Sequence, residues 1–248
     1  MKKKIAILSI LFIILVIAIA PAKLAQNFIP SNNQLSLGSI KGTIWSGHIE
    51  TALVKGWRFE DLTYQTNILP LLTGNAGGEV KINKGDLTGS FEFSIADKEN
   101  LSLTDAELII VASQLEEIIP FPGIQLDGEL STNDVDLTIE YKKLISLTGT
   151  TKWKDALVSV RNKRWELGEF VIDWTTDEAE KIILGKIRKT NNLLKVEGVI
   201  SLSASGILEF KGSIANTIDK SIYTAFQLFA DGKVNQGRLP IKFKKKIQ

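Results

Sequence analysis

Apolar and polar positions alternate with a period of two along most of this chain, the pattern of strands that bury one face and solvate the other. The alternation runs through Leu87, Phe91, Phe93 and Ile95, then Ile124, Leu126 and Leu130, then Val135, Leu137, Ile139 and Tyr141. Phe170, Ile172 and Trp174 continue it, followed by Val196, Ile200 and Leu202 and by Leu208, Phe210 and Ile214. Asn83-Lys84-Gly85-Asp86 and Asn133-Asp134 supply turn chemistry between runs. Strands joined this way predict an antiparallel meander without parallel crossovers. Gly42, Gly89, Gly128, Gly198 and Gly212 fall in the apolar register, where glycine adds no packing. They mark either a strongly twisted or curved sheet or a set of ordinary bulges. Pro240, between Leu239 and Ile241, predicts an edge strand because proline cannot donate to a ladder.

Two segments carry a helical period instead. Thr104-Asp105-Ala106-Glu107 reads as a capping box, after which Leu108, Val111, Ala112, Leu115 and Ile118 share one helical face before Pro120. From about 218 to 229, Ile218, Ile222, Ala225, Phe226 and Phe229 share another, with Gly232 just beyond. Both stripes are expected to pack on the sheet.

The first twenty residues break both patterns. Lys2, Lys3 and Lys4 precede an uncharged apolar run that reaches Ala20 and stops at Pro21. Sixteen apolar residues in a helix rise about 24 Å, close to the hydrocarbon layer once flanking residues are added. Basic residues ahead of such a run stay on the cytoplasmic side, so the remainder is expected across the membrane. Ala18-Ile19-Ala20 offers a small-x-small cleavage site, but the core is long for a signal peptide and Pro21 would follow the cut. A retained transmembrane anchor is the expectation. The chain then divides into lysines and anchor over 1–22, a short linker over 23–34 and a β-rich domain over 35–248. Two similar halves divided near 105–122 fit the strand count, although no repeat is evident. The expected fold is mainly β: an N-terminal transmembrane helix, then a twisted or curved antiparallel meander with two short helices.

Composition narrows the chemistry. The chain has no cysteine, which excludes disulfides, thiol catalysis and cysteine-ligated metals. Its only histidine is His48, so histidine triads and multi-histidine metal sites are excluded too. Net charge is +2, too near balance for a nucleic-acid partner. Gly74-Asn75-Ala76-Gly77-Gly78 lacks the lysine of a phosphate loop and reads as a hairpin turn. Asp177, Glu178 and Glu180 read as solvated loop, and Glu116-Glu117 as a solvated helix face. The tail Lys242, Lys244, Lys245 and Lys246 reads as a solvated end. Nothing places a serine on a nucleophile elbow, and a hydrolase would need convergent ionisable groups that are not evident. No cofactor is expected. Five tryptophans, Trp45, Trp57, Trp153, Trp165 and Trp174, are expected in strand packing, at a membrane interface or on a binding face.

Several short motifs recur in an order that resembles one family. Ile40-Lys41-Gly42-Thr43-Ile44-Trp45-Ser46-Gly47 is similar to a Gly-Thr-(apolar)-Trp-x-Gly element. Tyr64 to Gly74, with Pro70, Leu72 and Gly74, resembles a Trp-x-(apolar)-x-Pro-x-Leu-Leu-x-Gly element, with Tyr64 where tryptophan is common. Gly128 sits in a Leu-x-Gly-x-Leu strand, Trp153 and Ala156 in a Trp-x-x-Ala element, and Gly168 in a Leu-Gly pair; Gly237-Arg238 follows the last helix. Together these resemble protein N of the bacterial type II secretion system. The resemblance implies a non-enzymatic accessory component of protein export, anchored in the inner membrane with its β-rich part in the periplasm. Its implied partners are other secretion components and, through the N-terminal helix, the bilayer; the motif positions would serve structure or interaction. The alternative reading is an anchored periplasmic module that binds or transfers lipid along an apolar groove.

Overall fold

A computed structural model describes residues 19–26, 35–67, 75–96, 99–115, 123–141, 143–160, 163–188, 190, 192–216 and 218–246. The chain divides into two compact units, Met1–Asp97 and Lys98–Gln248. All described strand pairings are antiparallel, as the alternation predicts.

The first unit opens with a short helix, α1 (Ala22–Gln26). Six strands follow: β1 (Leu35–Leu37), β2 (Ile40–Gly42), β3 (Ser46–Val54), β4 (Trp57–Thr66), β5 (Ala76–Gly85) and β6 (Leu87–Ala96). β1 and β2 share one edge of β3, and β4, β5 and β6 follow in chain order on the other side. Of the predicted turn at Asn83–Asp86, Asn83, Lys84 and Gly85 still belong to β5, where Lys84 and Gly85 pair with β4; Asp86 alone lies between β5 and β6, its carboxylate accepting from Arg58 N–H. The hairpin turn predicted at Gly74–Gly78 is corrected in part. Ala76, Gly77 and Gly78 are already in β5 and pair with Ile95, Ser94 and Phe93, because the following Val80 and Ile82 hold the register. Gly74 lies outside the described residues.

The second unit is an eight-strand meander among the described residues: β7 (Asn100–Val111), β8 (Ile124–Glu140), β9 (Lys143–Val160), β10 (Lys163–Asp177), β11 (Ile182–Ile187), β12 (Glu197–Ser203), β13 (Ile207–Ala215) and β14 (Arg238–Lys246). Each strand pairs with the next. The helix predicted near 218–229 is present as α2 (Lys220–Phe226) with a 3-10 turn at Gln227–Phe229. Its Ile222 is buried together with Ala156, Leu167, Phe170, Leu194, Val196, Ile214, Leu239 and Ile241. Trp153, Trp165, Tyr223 and Phe226 pack around this core.

The helix predicted from Thr104 is a correction at its start: residues 104–111 belong to β7, and helical backbone begins at Ala112, with a 3-10 turn over Ala112–Gln114 and Leu115 already α-helical. Glu116-Glu117 and the rest of that segment to Pro120 lie outside the described residues. Asp105 takes a left-handed conformation (φ 50°) in the middle of the strand, which aspartate tolerates better than most residues. The β7–β8 register shifts on both sides of Ala106. The bulge inserts a residue, so the inward step from Leu103 to Ala106 is three rather than two, which imitates a helical face. Asn133-Asp134 is likewise no turn: Asp134 (φ 49°) bulges inside continuous β8, and Asp155 (φ 48°) does the same in β9.

Thr132 repairs the ladder at the Asp105 bulge. Its hydroxyl donates to the Ala106 carbonyl at 2.8 Å and accepts from Leu108 N–H at 2.8 Å. Thr132→Val keeps the shape but strands both backbone groups, so it should destabilise the unit by about 1–2 kcal/mol in urea unfolding. A change below about 0.3 kcal/mol would show that those groups find partners elsewhere.

Candidate functional site

The resemblance-bearing residues of the first unit converge on the β2–β3 hairpin. Ile44 and Trp45 form its tip. Thr43 N–H donates to the Ser46 carbonyl at 2.9 Å, and the Thr43 hydroxyl oxygen accepts from the N–H groups of Trp45 and Ser46, both at 3.2 Å. A threonine at this position therefore closes the turn from inside. Gly42 sits at φ +100° facing Gly47, and a methyl group on it would stand 2.5 Å from the Ser46 carbonyl oxygen.

Two β4 residues brace the same turn, and neither role is visible without the strand register. The Tyr64 hydroxyl donates to the Thr43 carbonyl at 2.6 Å, while its ring lies over Gly47. Burial raises the pKa of this phenol, which keeps it protonated and donating. The Thr66 hydroxyl reaches the carbonyls of Ile44 at 2.8 Å and Trp45 at 3.1 Å.

The hairpin also receives the chain that follows the N-terminal apolar run. Ile44 N–H donates to the Ala20 carbonyl at 3.0 Å, Pro21 bridges to Thr43, and Ala22 of α1 is buried. No helix among the described residues is long and apolar enough to cross a membrane. The predicted anchor, with Lys2, Lys3 and Lys4, lies outside the described residues up to residue 18. Beside the hairpin is an open cavity of about 550 Å³ lined by Lys41, Ser46, His48, Tyr64, Gln65 and Lys81 among others. His48 projects from β3 and stands 3.4 Å from the Asp61 carboxylate, both side chains partly exposed. The lining is polar and charged rather than a groove for acyl chains.

In the second unit Gly128, Trp153, Ala156 and Gly168 come together on three neighbouring strands. Gly128 (φ +105°) bulges at the β8–β9 register shift, packed against the Lys154 and Asp155 carbonyls. Ala156 is buried opposite Gly168, where β10 shifts register against β9. Trp153 lies across from both Leu130 and Phe170; its ring is tilted on Phe170 at 5.7 Å, and its indole N–H donates to the Asp127 carbonyl at 2.9 Å. These positions gather the register shifts of β8–β9 and β9–β10 into one place on the sheet of this unit. Gly198 and Gly212, by contrast, face each other across β12 and β13 beneath the Phe210 ring, so close approach rather than a bulge explains them. Gly237 (φ +72°) leads into β14, where Arg238 binds the Ser213 hydroxyl and the Ser213 and Lys195 carbonyls and pairs with Glu197. Pro70, Leu72 and Gly74 lie outside the described residues.

Among the described residues, the motif positions lie where backbone is held in place and gather no convergent reactive groups, which defines a β-meander scaffold. The family described as type II secretion system (T2SS), protein N, matches residues 33–242, and the chain belongs to that family. No curated protein and no solved structure matches the chain. Membership makes it a component of protein export by the type II pathway.

Proposed function

We propose that this chain is a non-enzymatic accessory component of the type II secretion system, held in the inner membrane by residues 1–20 with both β units in the periplasm. On this reading it acts by binding other secretion components. The observation that carries it is the braced Ile40–Gly47 hairpin, tied by hydrogen bond to Ala20 at the exit of the apolar run. A span over 1–20 would bring that turn to the bilayer surface, where the half-buried Trp45 at its tip suits an interfacial setting. The hairpin would then fix how the first unit leaves the membrane, and its polar flank around Lys41 and His48 would face partners. The lipid-groove alternative needs an open apolar channel; the inner face of the second unit is instead filled by Ile222 and its neighbours.

The absence of cysteine makes the test direct. Single cysteines at Lys41 and His48, introduced into the full chain in secreting cells, should crosslink to inner-membrane secretion components identified by mass spectrometry. Capture of lipid with no secretion component at either site would overturn the reading. So would recovery of a mature protein beginning at Pro21.

A further inference from the structure

β14 ends the sheet of the second unit, and its outer edge is covered only part of the way along. Arg238 exchanges backbone hydrogen bonds with Asn235, the Pro240 carbonyl accepts from Asp231 N–H, and Ala230 bridges to Ile241. These bonds show that even-numbered residues of β14 turn their backbone groups away from β13. Lys244 and Lys246 therefore direct N–H and C=O outward, and no described strand lies against them. Pro240, which lacks an N–H, falls in the covered stretch; the open stretch begins beyond it.

The charge on this stretch is one-sided. Lys242, Lys244 and Lys246 are exposed on the outer face, next to Lys211 of β13. Glu209 is the acid placed among them: it pairs with Lys211 at 3.2 Å and with Lys242 at 3.6 Å. The Lys211 hydrogen bond, with the positive field of Lys211, Lys242 and Lys244, holds its pKa below the ordinary value, so it stays ionised yet answers only part of the positive charge.

We infer that the open edge of β14 at Lys244–Lys246 is a docking site for an extended acidic segment of a partner protein, which adds as a further strand. Such a strand satisfies the outward backbone groups and sets its side chains opposite Lys242, Lys244 and Lys246 on one face. Acidic residues at every second position complement that row. A second copy of β14 would set lysine against lysine, so the same row that admits an acidic strand excludes self-pairing. The sequence reading of this tail as a merely solvated end is extended accordingly. The inference concerns a different surface from the β2–β3 hairpin and does not depend on it.

The test uses the full chain in detergent and a fluorescent peptide of alternating glutamate and threonine. Anisotropy should show saturable binding that weakens as salt is raised. Lys244→Gln with Lys246→Gln should weaken it by about threefold or more, given the loss of two exposed ion pairs, while changing the thermal unfolding of the chain little, since no carboxylate is set against Glu209. A peptide of the same sequence, N-methylated at alternate residues on its pairing edge, keeps its charge but cannot join the ladder and should not bind. Equal binding of the N-methylated peptide, no binding of the parent peptide, or a preference for micelles containing phosphatidylglycerol over the peptide would each overturn the inference. Loss of crosslinks at Lys41 and His48 with peptide binding intact would count against the function proposed above and not against this site.

Discussion

Replacing Ile214 by alanine is expected to destabilise the second unit by about 3–4 kcal/mol. Ile214 and Ile222 are the largest fully buried side chains among the described residues. Ile214 lies on the inner face of β13, opposite Leu239 of β14, in the cluster that α2 covers. Truncation removes most of a buried branched side chain and leaves a cavity. The surrounding strands cannot collapse into that space, because β13 is fixed by its ladders to both β12 and β14. Urea unfolding followed by tryptophan fluorescence is a suitable measurement, since Trp153 and Trp165 pack against this cluster. Lys186→Ala, on the exposed face of β11, should change stability by less than about 0.5 kcal/mol and serves as the reference. An Ile214→Ala loss no larger than that would mean the inner face is not packed, and the case for a lipid-receiving groove would reopen.

How far the fold could be read from residues alone depended on whether one face met solvent in an unbroken period. β12 to β14 were legible because their apolar positions alternate: in β13, Leu208, Phe210, Gly212 and Ile214 run without interruption against an outer face of Glu209 and Lys211. Pro240 correctly marked an edge. α2 was legible because Ile218, Ile222 and Phe226 recur every four residues before Gly232. β7 was misread because Asp105 adds one residue to the strand, and a strand carrying a bulge shares its apolar spacing with a helix. The surer signal was an aspartate followed by a small or branched apolar residue inside an alternating run. Asp105-Ala106, Asp134-Val135 and Asp155-Ala156 all follow that form, and in each the second residue is buried. The hairpin motif was visible as a motif, but not its braces. Tyr64 and Thr66 are about twenty residues from the turn, and only the β3–β4 register brings them onto it. The clustered register shifts in the second unit were hidden for the same reason: Gly128, Trp153, Ala156 and Gly168 meet through pairing, not proximity in the chain.

Gly42→Ala should destabilise the first unit by about 3 kcal/mol, because two costs coincide. The φ of +100° disfavours any residue with a Cβ. The added methyl would also lie 2.5 Å from the Ser46 carbonyl oxygen and 2.7 Å from the Gly47 Cα, both backbone atoms that cannot swing aside. Relief requires opening the turn, which sacrifices the Thr43–Ser46 bond and moves the carbonyl that Tyr64 holds. Gly56 separates the two costs. It sits at φ +95° with nothing within 4 Å of a built methyl, so Gly56→Ala carries the conformational cost alone, about 1–2 kcal/mol. Chemical unfolding of both variants should show Gly42→Ala as the more damaging by at least about 1 kcal/mol; equal losses would mean that the hairpin is not crowded as described. The same pair tests what the hairpin is for. If it seats the chain that leaves the membrane, secretion per unit of protein in cells should fall further with Gly42→Ala than with Gly56→Ala, with abundance matched by immunoblot. Loss of secretion only in proportion to abundance would make the turn a matter of stability alone.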